Sequence, residues 1–318
     1  MISPTAIRID ACSICQLKCP LCSNLTPGNI IGKGKLKAVD FKRLVDDNPC
    51  IRKVELGNKG EVFLNNELAE IIRYAYEKGI MTSINTGANL NDASDEALEA
   101  LVKYQTHRLR VSIDGATQQT YEKYRIGGEL KKVIYNIHKI NALKEKYHSC
   151  KPDLLYQFIV FGHNEHEMRQ AMTLACMLNM KIQFKLNRFP ETFSVKNRER
   201  VKRYVGYFDR HDLFQKTGMD YARNKCLHLW KSPQVNWDGK LIGCCHNTWA
   251  VFAENVFDDG LMSGVNNEKM EYARKMLTGS ASPDHAVPCA RCSMYEGLQH
   301  HGNWLTEAEI QNSMQGKI

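Results

Sequence analysis

Three cysteines near the N-terminus, Cys15, Cys19 and Cys22, follow one another in a C-x3-C-x2-C pattern. Thiolates this close together can bind one face of a metal centre, but three of them cannot complete the usual site. A structural zinc ion takes four protein ligands, and a [4Fe-4S] cluster normally takes four thiolates. If the centre is a cluster, one iron stays open for chemistry; a zinc knuckle or unrelated buried cysteines are the alternatives.

A second group of spaced cysteines lies in the last third of the chain. Its members are Cys226, Cys244, Cys289 and Cys292. Four thiolates can close an iron-sulfur cluster or a tetrahedral zinc site, so this group predicts a complete metal centre. Cys245 directly follows Cys244 and could be the ligand in its place.

The bulk composition limits the compartment and the partners. The chain has 318 residues, 12 cysteines and a formal net charge of +8. No apolar run approaches the roughly 20 residues that span a bilayer, and no secretory signal is present, so we expect a cytoplasmic protein without membrane contact. Many cysteines in that compartment indicate metal binding or catalysis. The positive charge favours anionic partners, whereas no basic stripe with interleaved aromatics indicates nucleic-acid binding.

Strand-like and helical patterns alternate repeatedly through the first two-thirds of the sequence. This alternation predicts a parallel sheet with helices outside, and an open, partial (β/α)6 barrel fits it. The cysteine loop follows the first strand, at the end where such folds carry catalytic groups. After about Phe189 the pattern changes, and Asp238-Gly239 indicates a hairpin turn. We therefore predict an α/β domain over residues 1–207 and a small α+β domain over 208–318.

Capping residues mark several predicted helix starts. Asn66 and Ser94 precede helical patterns, and Asn164 with Glu167 has the spacing of a capping box. Another short helix is predicted near Asn267–Leu277.

Polar segments at the predicted strand ends are the candidates for ligand contacts. Glycine lets the backbone approach a ligand closely, and an arginine fork binds a carboxylate through two hydrogen bonds. The candidates, in chain order, are Gly60, Glu61, Asn85, Ser112, Arg125 and Gly162.

The cysteine trio and the segment Ser112-Ile113-Asp114-Gly115, with Arg125 after it, resemble the radical S-adenosylmethionine (SAM) enzymes. In that superfamily SAM chelates the open iron of a [4Fe-4S] cluster, and one electron cleaves it to a 5′-deoxyadenosyl radical. The resemblance implies this cluster on the trio and a partial (β/α)6 barrel. It also implies SAM contacts from the six candidates above, with Gly60 and Glu61 at the amino group. Around them only Gly60-Glu61 matches the Gly-Gly-Glu-Pro stretch of those enzymes, because Lys59 and Val62 replace its first and last residues.

The C-terminal cysteines are similar to the start of the seven-cysteine SPASM motif, without its last three cysteines. The shorter form, called a twitch domain, holds one auxiliary [4Fe-4S] cluster. The resemblance therefore implies an auxiliary cluster on Cys226, Cys244, Cys289 and Cys292, in an enzyme of the 2-deoxy-scyllo-inosamine dehydrogenase type.

The expected function is hydrogen abstraction from a small polar substrate, with oxidation of an alcohol to a ketone. The substrate would be a sugar, an aminocyclitol or a nucleotide-sugar, and flavodoxin or ferredoxin would be the external one-electron reductant. A cluster loop that starts at residue 15 leaves no room for a leader-binding domain, which favours a small molecule over a peptide. The alternatives are a radical epimerase in which Cys245 donates a hydrogen atom, a peptide- or protein-modifying enzyme, and a zinc-bound scaffold.

Overall fold

The computed structural model describes residues 1–25, 28–218 and 225–315. Its strands pair in parallel and alternate with helices, so the predicted α/β class and parallel sheet are confirmed. The strands are β1 (Ala6–Ile9), β2 (Lys53–Glu55), β3 (Met81–Ala88), β4 (Arg108–Ser112), β5 (Asp153–Val160), β6 (Lys181–Leu186) and β7 (Gln234–Val235). Their hydrogen-bonded order is β6-β5-β4-β3-β2-β1-β7.

Helices connect the strands and form much of the C-terminal third. They are α1 (Ala38–Asp46), α2 (Leu68–Glu77), α3 (Asp95–Lys103), α4 (Gln118–Tyr121), α5 (Leu130–Lys146), α6 (Met168–Met177), α7 (Arg198–Val205), α8 (Arg210–Thr217), α9 (His228–Lys231), α10 (Leu261–Val265), α11 (Glu268–Leu277), α12 (Ser293–His301) and α13 (Glu307–Met314). Within the described residues, none of these helices combines the length and apolarity that a bilayer crossing requires.

The chain divides into two compact units. The first comprises Met1–Ile14, Asn24–Thr82 and Arg223–Ile318, and the second comprises Cys15–Ser23 and Ser83–Ala222. These units group the residues differently from the division after residue 207, which stays a prediction. Two parts of its C-terminal domain, 219–224 and 316–318, lie outside the described residues.

In the first unit β1 pairs with β2 on one side and with β7 on the other. Arg8 lies opposite Glu55 in one pairing and opposite Gln234 in the other. The predicted hairpin follows β7: the N–H of Asn236 donates to the carbonyl of Lys240 at 2.8 Å, and Gly239 has φ +87°. A residue with a side chain rarely adopts that φ, which explains the glycine in this turn.

In the second unit β4, β5 and β6 lie side by side in register. Ser112 lies opposite Gln157, and Ile159 lies opposite Lys185. Because side chains alternate between the two faces of a sheet, these four residues share one face. The opposite face carries apolar side chains packed under the helices, and they are fully buried: Leu109, Val111, Tyr156 and Phe158.

Helix starts agree with the sequence at two positions and differ at two others. Ser94 caps α3 by accepting from the N–H of Ala97, and Asn267 caps α11 in the same way. The cap predicted at Asn66 is wrong, because α2 begins after Glu67. Asn164 precedes a 3-10 turn (Glu165–Glu167) that leads into α6, but its side chain makes no capping bond. Asn164 instead donates to the carbonyls of Asp114 and Ile159, so its amide ties two strand ends together.

Candidate functional site

The cysteine loop belongs to the second unit and packs against an apolar cluster. The buried members of the cluster are Leu17, Cys19, Tyr124 and Phe161, and Cys15 and Cys22 pack against them. The N–H of Cys22 donates to the carbonyl of Cys19 at 3.0 Å, which turns the loop back on itself. The three predicted ligand side chains therefore share one environment that is poor in water.

A buried ion pair holds Arg125 against this loop. Its Nε and Nη2 atoms contact Asp114 Oδ2 at 2.7 and 2.6 Å, and its Nη1 donates to Cys19 Sγ at 3.6 Å. Burial raises the pKa of Cys19, and the Arg125 cation opposes that rise because it favours the thiolate. The guanidinium is thus engaged by a carboxylate and a predicted ligand sulfur, and its contact with SAM stays a prediction.

Asn89, which follows β3, makes a similar contact with Cys15. Its Nδ2 lies 3.8 Å from Cys15 Sγ and donates to Gln16 Oε1 at 3.3 Å. Gln16 Nε2 donates in turn to Asn89 Oδ1 at 3.2 Å. The sequence analysis missed Asn89, since an asparagine in a loop carries no signal of the sulfur beside it.

Ser112 is the last residue of β4, as predicted, whereas β3 continues for three residues beyond Asn85. Gln157 Nε2 donates to Ser112 Oγ at 3.0 Å, so the hydroxyl has a fixed partner. Gly87 has φ +102°, and a Cβ built on it would lie 2.3 Å from Ser112 Oγ. The glycine therefore leaves the space in which the Ser112 hydroxyl lies.

We expect Gly87→Ala to destabilise the protein by about 2–4 kcal/mol, from positive-φ strain and overpacking against Ser112. Gly79→Ala is the matched control, since Gly79 has φ +68° but nothing within 4 Å of its Cβ position. The free energy of unfolding of that variant should fall only by the cost of positive-φ strain, about 1–2 kcal/mol. Urea unfolding of both variants measures the difference, and equal losses would contradict the clash at Ser112.

Gly162 follows β5 and packs against another stretch of chain. Its N–H donates to the carbonyl of Phe193 at 2.9 Å, and a Cβ on it would lie 1.9 Å from the carbonyl oxygen of Ser194. This close approach explains the glycine without a ligand, and the predicted contact of Gly162 with SAM stays a prediction.

Gly60 and Glu61 lie in the first unit, beside the end of β1. A Cβ on Gly60 would lie 2.3 Å from the carbonyl oxygen of Cys12. The N–H of Glu61 donates to the carbonyl of Ile14 at 2.8 Å, and its carboxylate accepts from the N–H of Phe63 at 3.4 Å. Backbone packing thus fixes this loop, and the two residues remain predicted contacts of the SAM amino group.

The four C-terminal cysteines line one pocket in the first unit. The lining residues are Cys226, Cys244, Cys289 and Cys292 together with Leu229, Asn247, Trp249, Phe252, Leu277, Pro288, Met294 and Tyr295. Trp249 Nε1 donates to the carbonyl of Pro288 at 3.0 Å, which joins the segment after Cys244 to the one that carries Cys289. The two parts of the predicted ligand set, which lie far apart in the sequence, therefore come together in this pocket.

Burial and the neighbouring sulfurs both raise the pKa of two of these thiols. Burial raises the pKa of Cys244, and the fields of Cys226 and Cys245 raise it further. Burial also raises the pKa of Cys289, with the fields of Cys244 and Cys226 adding to the effect. Cys244 lines the pocket, whereas Cys245 is half-buried and is not among the lining residues. This geometry favours Cys244 over Cys245 as the fourth side chain of the group.

The sulfur donors of both cysteine groups are of the type that binds iron-sulfur clusters. Thiolates are soft ligands that select iron-sulfur clusters, zinc or copper(I). The described residues that line the four-cysteine pocket include no carboxylate or imidazole. In the part of the chain that the structure describes, no group of three or more His, Cys, Asp or Glu side chains is arranged to hold a single metal ion.

Lys185 is a further candidate near the end of β6. It shares a sheet face with Ser112 and lies opposite Ile159, next to the end of β5. Burial, with the nearby cations Arg110 and Arg210, lowers the pKa of Lys185 to about 8, against a smaller opposing effect of Asp114. Lys185 was not among the six predicted contacts, because the burial that changes its acidity comes from distant elements.

No protein-family model matches the chain. Among the curated relatives that match part of it are the following two. AdoMet-dependent heme synthase of Methanosarcina barkeri is 27% identical over 124 residues, which are 39% of this chain and 35% of the relative. PqqA peptide cyclase of Rhodopseudomonas palustris is 29% identical over 127 residues, which are 39% of this chain and 32% of the relative. The chain thus spans about a third of the length of these relatives.

Solved structures match most of the chain. Streptococcus suis SuiB bound to S-adenosylmethionine has a TM-score of 0.65 at 12% identity, over 92% of this chain and 71% of that one. BtrN in complex with AdoMet and 2-DOIA has a TM-score of 0.53 at 14% identity, over 92% of this chain and 94% of that one. At these identities the likeness establishes the fold. One of these relatives and both solved structures carry S-adenosylmethionine or AdoMet in their names or titles.

Proposed function

We propose that the chain is a radical SAM oxidoreductase that converts an alcohol group of a small polar substrate to a ketone. The observation that carries the proposal is the contrast between two thiol sites. Cys15, Cys19 and Cys22 share one apolar cluster, whereas four further cysteines line one pocket. Three thiolates leave one iron of a [4Fe-4S] cluster open for SAM, and four can close a second cluster.

Two sets of side chains would hold these groups. The SAM-binding cluster would be held by Cys15, Cys19 and Cys22, and the auxiliary cluster by Cys226, Cys244, Cys289 and Cys292. When bound, the clusters and SAM would supply a 5′-deoxyadenosyl radical and an acceptor for a second electron. The apolar side chains around both thiol sites would exclude water, which suppresses side reactions of a reactive intermediate. An external one-electron carrier such as flavodoxin or ferredoxin would be the reductant.

Six residues at the strand ends would orient SAM. Ser112 is supported by its position at the carboxyl end of β4, and Asn85 by its position on the neighbouring strand β3. Arg125 is supported by its contact with Cys19, because SAM would bind the same cluster. Gly60, Glu61 and Gly162 belong to this set by their place after β2 and β5.

Lys185 would accept the proton that the oxidation releases. Converting an alcohol to a ketone removes the carbon-bound hydrogen atom, the hydroxyl proton and one further electron. An acceptor for the proton works best with a pKa near the working pH. The Lys185 amine meets this condition with a pKa of about 8, and it lies on the face of the sheet that carries Ser112.

The proposed substrate class is a sugar, an aminocyclitol or a nucleotide-sugar. The net charge of +8 favours a substrate that carries an anionic group such as a phosphate. Two cations near Lys185, Arg110 and Arg210, add positive potential around its amine. The fold likeness to BtrN, solved with 2-DOIA, also agrees with this class.

Peptide modification is a second candidate function. One relative that matches 39% of this chain is a peptide cyclase, which supports a peptide substrate. Epimerisation is a third, in which Cys245 would donate a hydrogen atom to the substrate radical. Its half-buried thiol outside the four-cysteine pocket supports that role.

Anaerobically purified and reconstituted protein should contain about eight iron and eight sulfide per chain, since each [4Fe-4S] cluster has four of both. A variant with alanine at Cys15, Cys19 and Cys22 should retain about four iron, held by the C-terminal cysteines. Zinc without sulfide would refute the enzyme and leave the zinc-bound scaffold.

The reaction class is tested by the products of anaerobic turnover with SAM. Dehydrogenation gives a product two mass units lighter than the substrate, with one 5′-deoxyadenosine per product. A product of unchanged mass and inverted configuration would support epimerisation, and Cys245→Ala would then block it. Turnover of a co-purifying peptide alone would favour peptide modification.

A further inference from the structure

Two side chains of the second unit direct N–H groups at sulfurs of the cysteine loop. Arg125 Nη1 lies 3.6 Å from Cys19 Sγ, and Asn89 Nδ2 lies 3.8 Å from Cys15 Sγ. Two of the three loop sulfurs therefore have a side-chain N–H directed at them.

Both donors are fixed by other contacts. Arg125 is held by Asp114, whose side chain is fully buried and whose Oδ1 accepts from the N–H of Ile159 at 2.7 Å. Asn89 Oδ1 accepts from the N–H of Asn91 at 2.9 Å, which orients the Asn89 amide. Neither donor needs to reorganise when the charge on the sulfurs changes.

A reduced cluster carries one more negative charge than an oxidised one, and part of that charge lies on its thiolate sulfurs. N–H groups and cations near the sulfurs therefore stabilise the reduced state more than the oxidised state. The effect is large here because Cys19 is 6% exposed and solvent screens the charges weakly. A charged donor such as Arg125 should contribute more than a neutral amide.

We propose that Arg125 and Asn89 raise the reduction potential of the cluster on Cys15, Cys19 and Cys22 through their N–H···S contacts. The inference rests on the proposed function, because it assumes a cluster at these cysteines. One electron enters the cluster from the external carrier, and no bond forms or breaks in this step. The two residues are positioning residues that act through the cysteine sulfurs.

Reductive titration of the reconstituted protein, with viologen mediators and detection by electron paramagnetic resonance, tests this proposal. The SAM-binding cluster is identified as the signal that changes when SAM is added. For Arg125→Gln we expect reduction to be about tenfold less favourable, which is ~59 mV more negative for a one-electron couple. For Asn89→Asp, which keeps the size of the side chain but replaces its N–H donor by a carboxylate, we expect a shift of similar size in the same direction, because an added negative charge acts like a removed positive one.

Lys185→Met is the matched control, since it removes a cation near Asp114 that has no contact with a cysteine. In this variant the reduction potential of the SAM-binding cluster should stay close to that of the unaltered protein. Arg125→Lys restores the positive charge, so its reduction potential should lie between those of Arg125→Gln and the unaltered protein. Because removal of one partner of a buried ion pair can strongly destabilise the fold, Asn89→Asp keeps the proposal testable if Arg125→Gln fails to fold.

If the unaltered protein assembles its clusters but Arg125→Gln and Asn89→Asp leave the reduction potential unchanged, the inference is wrong and the proposed function stands. If the unaltered protein assembles no cluster, the proposed function itself is wrong.

Discussion

Replacement of Cys19 by alanine is expected to abolish formation of 5′-deoxyadenosine from SAM. Two remaining thiolates, Cys15 and Cys22, cannot hold the three-thiolate face that leaves one iron for SAM. The change also removes the sulfur that accepts from Arg125. Chromatography of the anaerobic reaction with dithionite measures this loss, and we expect the product to fall below detection while about four iron per chain remain in the C-terminal site.

Cys12→Ala is the control for this change, because Cys12 is a nearby cysteine outside the predicted ligand set. Its side chain is buried, its Sγ contacts the carbonyl of Ile14, and burial raises its pKa to about 11, so it stays a thiol at neutral pH. We expect this variant to retain the full iron content and SAM cleavage. Retention of cleavage in Cys19→Ala, or loss of iron in Cys12→Ala, would overturn the assignment of the trio.

Replacement of Lys185 by methionine should lower substrate oxidation by about 10²–10⁴-fold, the usual contribution of a general base. With native Lys185, the rate should rise with pH up to about 8 and then level off, because only the neutral amine accepts a proton. One unit below that pKa, about one amine in ten is neutral, so the rate should be roughly tenfold below its plateau. The measurement is the initial rate of ketone formation between pH 6 and pH 9.5.

Lys181→Met is the matched control, since Lys181 lies on the same strand and face but is exposed. It should leave the pH profile unchanged. Lys185→Arg should be as inactive as Lys185→Met, because a guanidinium stays protonated in proteins. A pH-independent rate in the native enzyme, or an active Lys185→Arg, would exclude Lys185 as the proton acceptor.

Local patterns were sufficient to predict the sheet class and the grouping of the cysteines. The alternation of strands and helices depends on near neighbours, and the structure has strands alternating with helices through the first two-thirds of the chain. Cys15, Cys19 and Cys22 are close in sequence and therefore close in space. The C-terminal cysteines meet in one pocket although they lie far apart in sequence, which their number and the resemblance to a known motif had indicated.

Side-chain partners were not predictable, because they depend on distant segments. The spacing of Asn164 and Glu167 fits a capping box, yet Asn164 bonds to two other strand ends and Glu167 accepts from the N–H of Ala116. Gly162 was predicted to contact SAM, and its lack of a side chain is explained by the carbonyl of Ser194. The sequence does not distinguish Cys244 from the neighbouring Cys245. The structure does, because Cys244 and not Cys245 is among the residues that line the pocket.

The pairing of β1 with β7 has a consequence for how the protein is made. Arg8 and Gln234 are joined by a hydrogen bond across 226 positions of sequence. A ribosome adds about 5–20 residues per second, so β1 waits on the order of 10–45 s for the strand beside it. During that interval one edge of β1 has no partner strand and is open to pairing with other chains. Chaperones that bind emerging segments early should therefore raise the yield more than slower synthesis does.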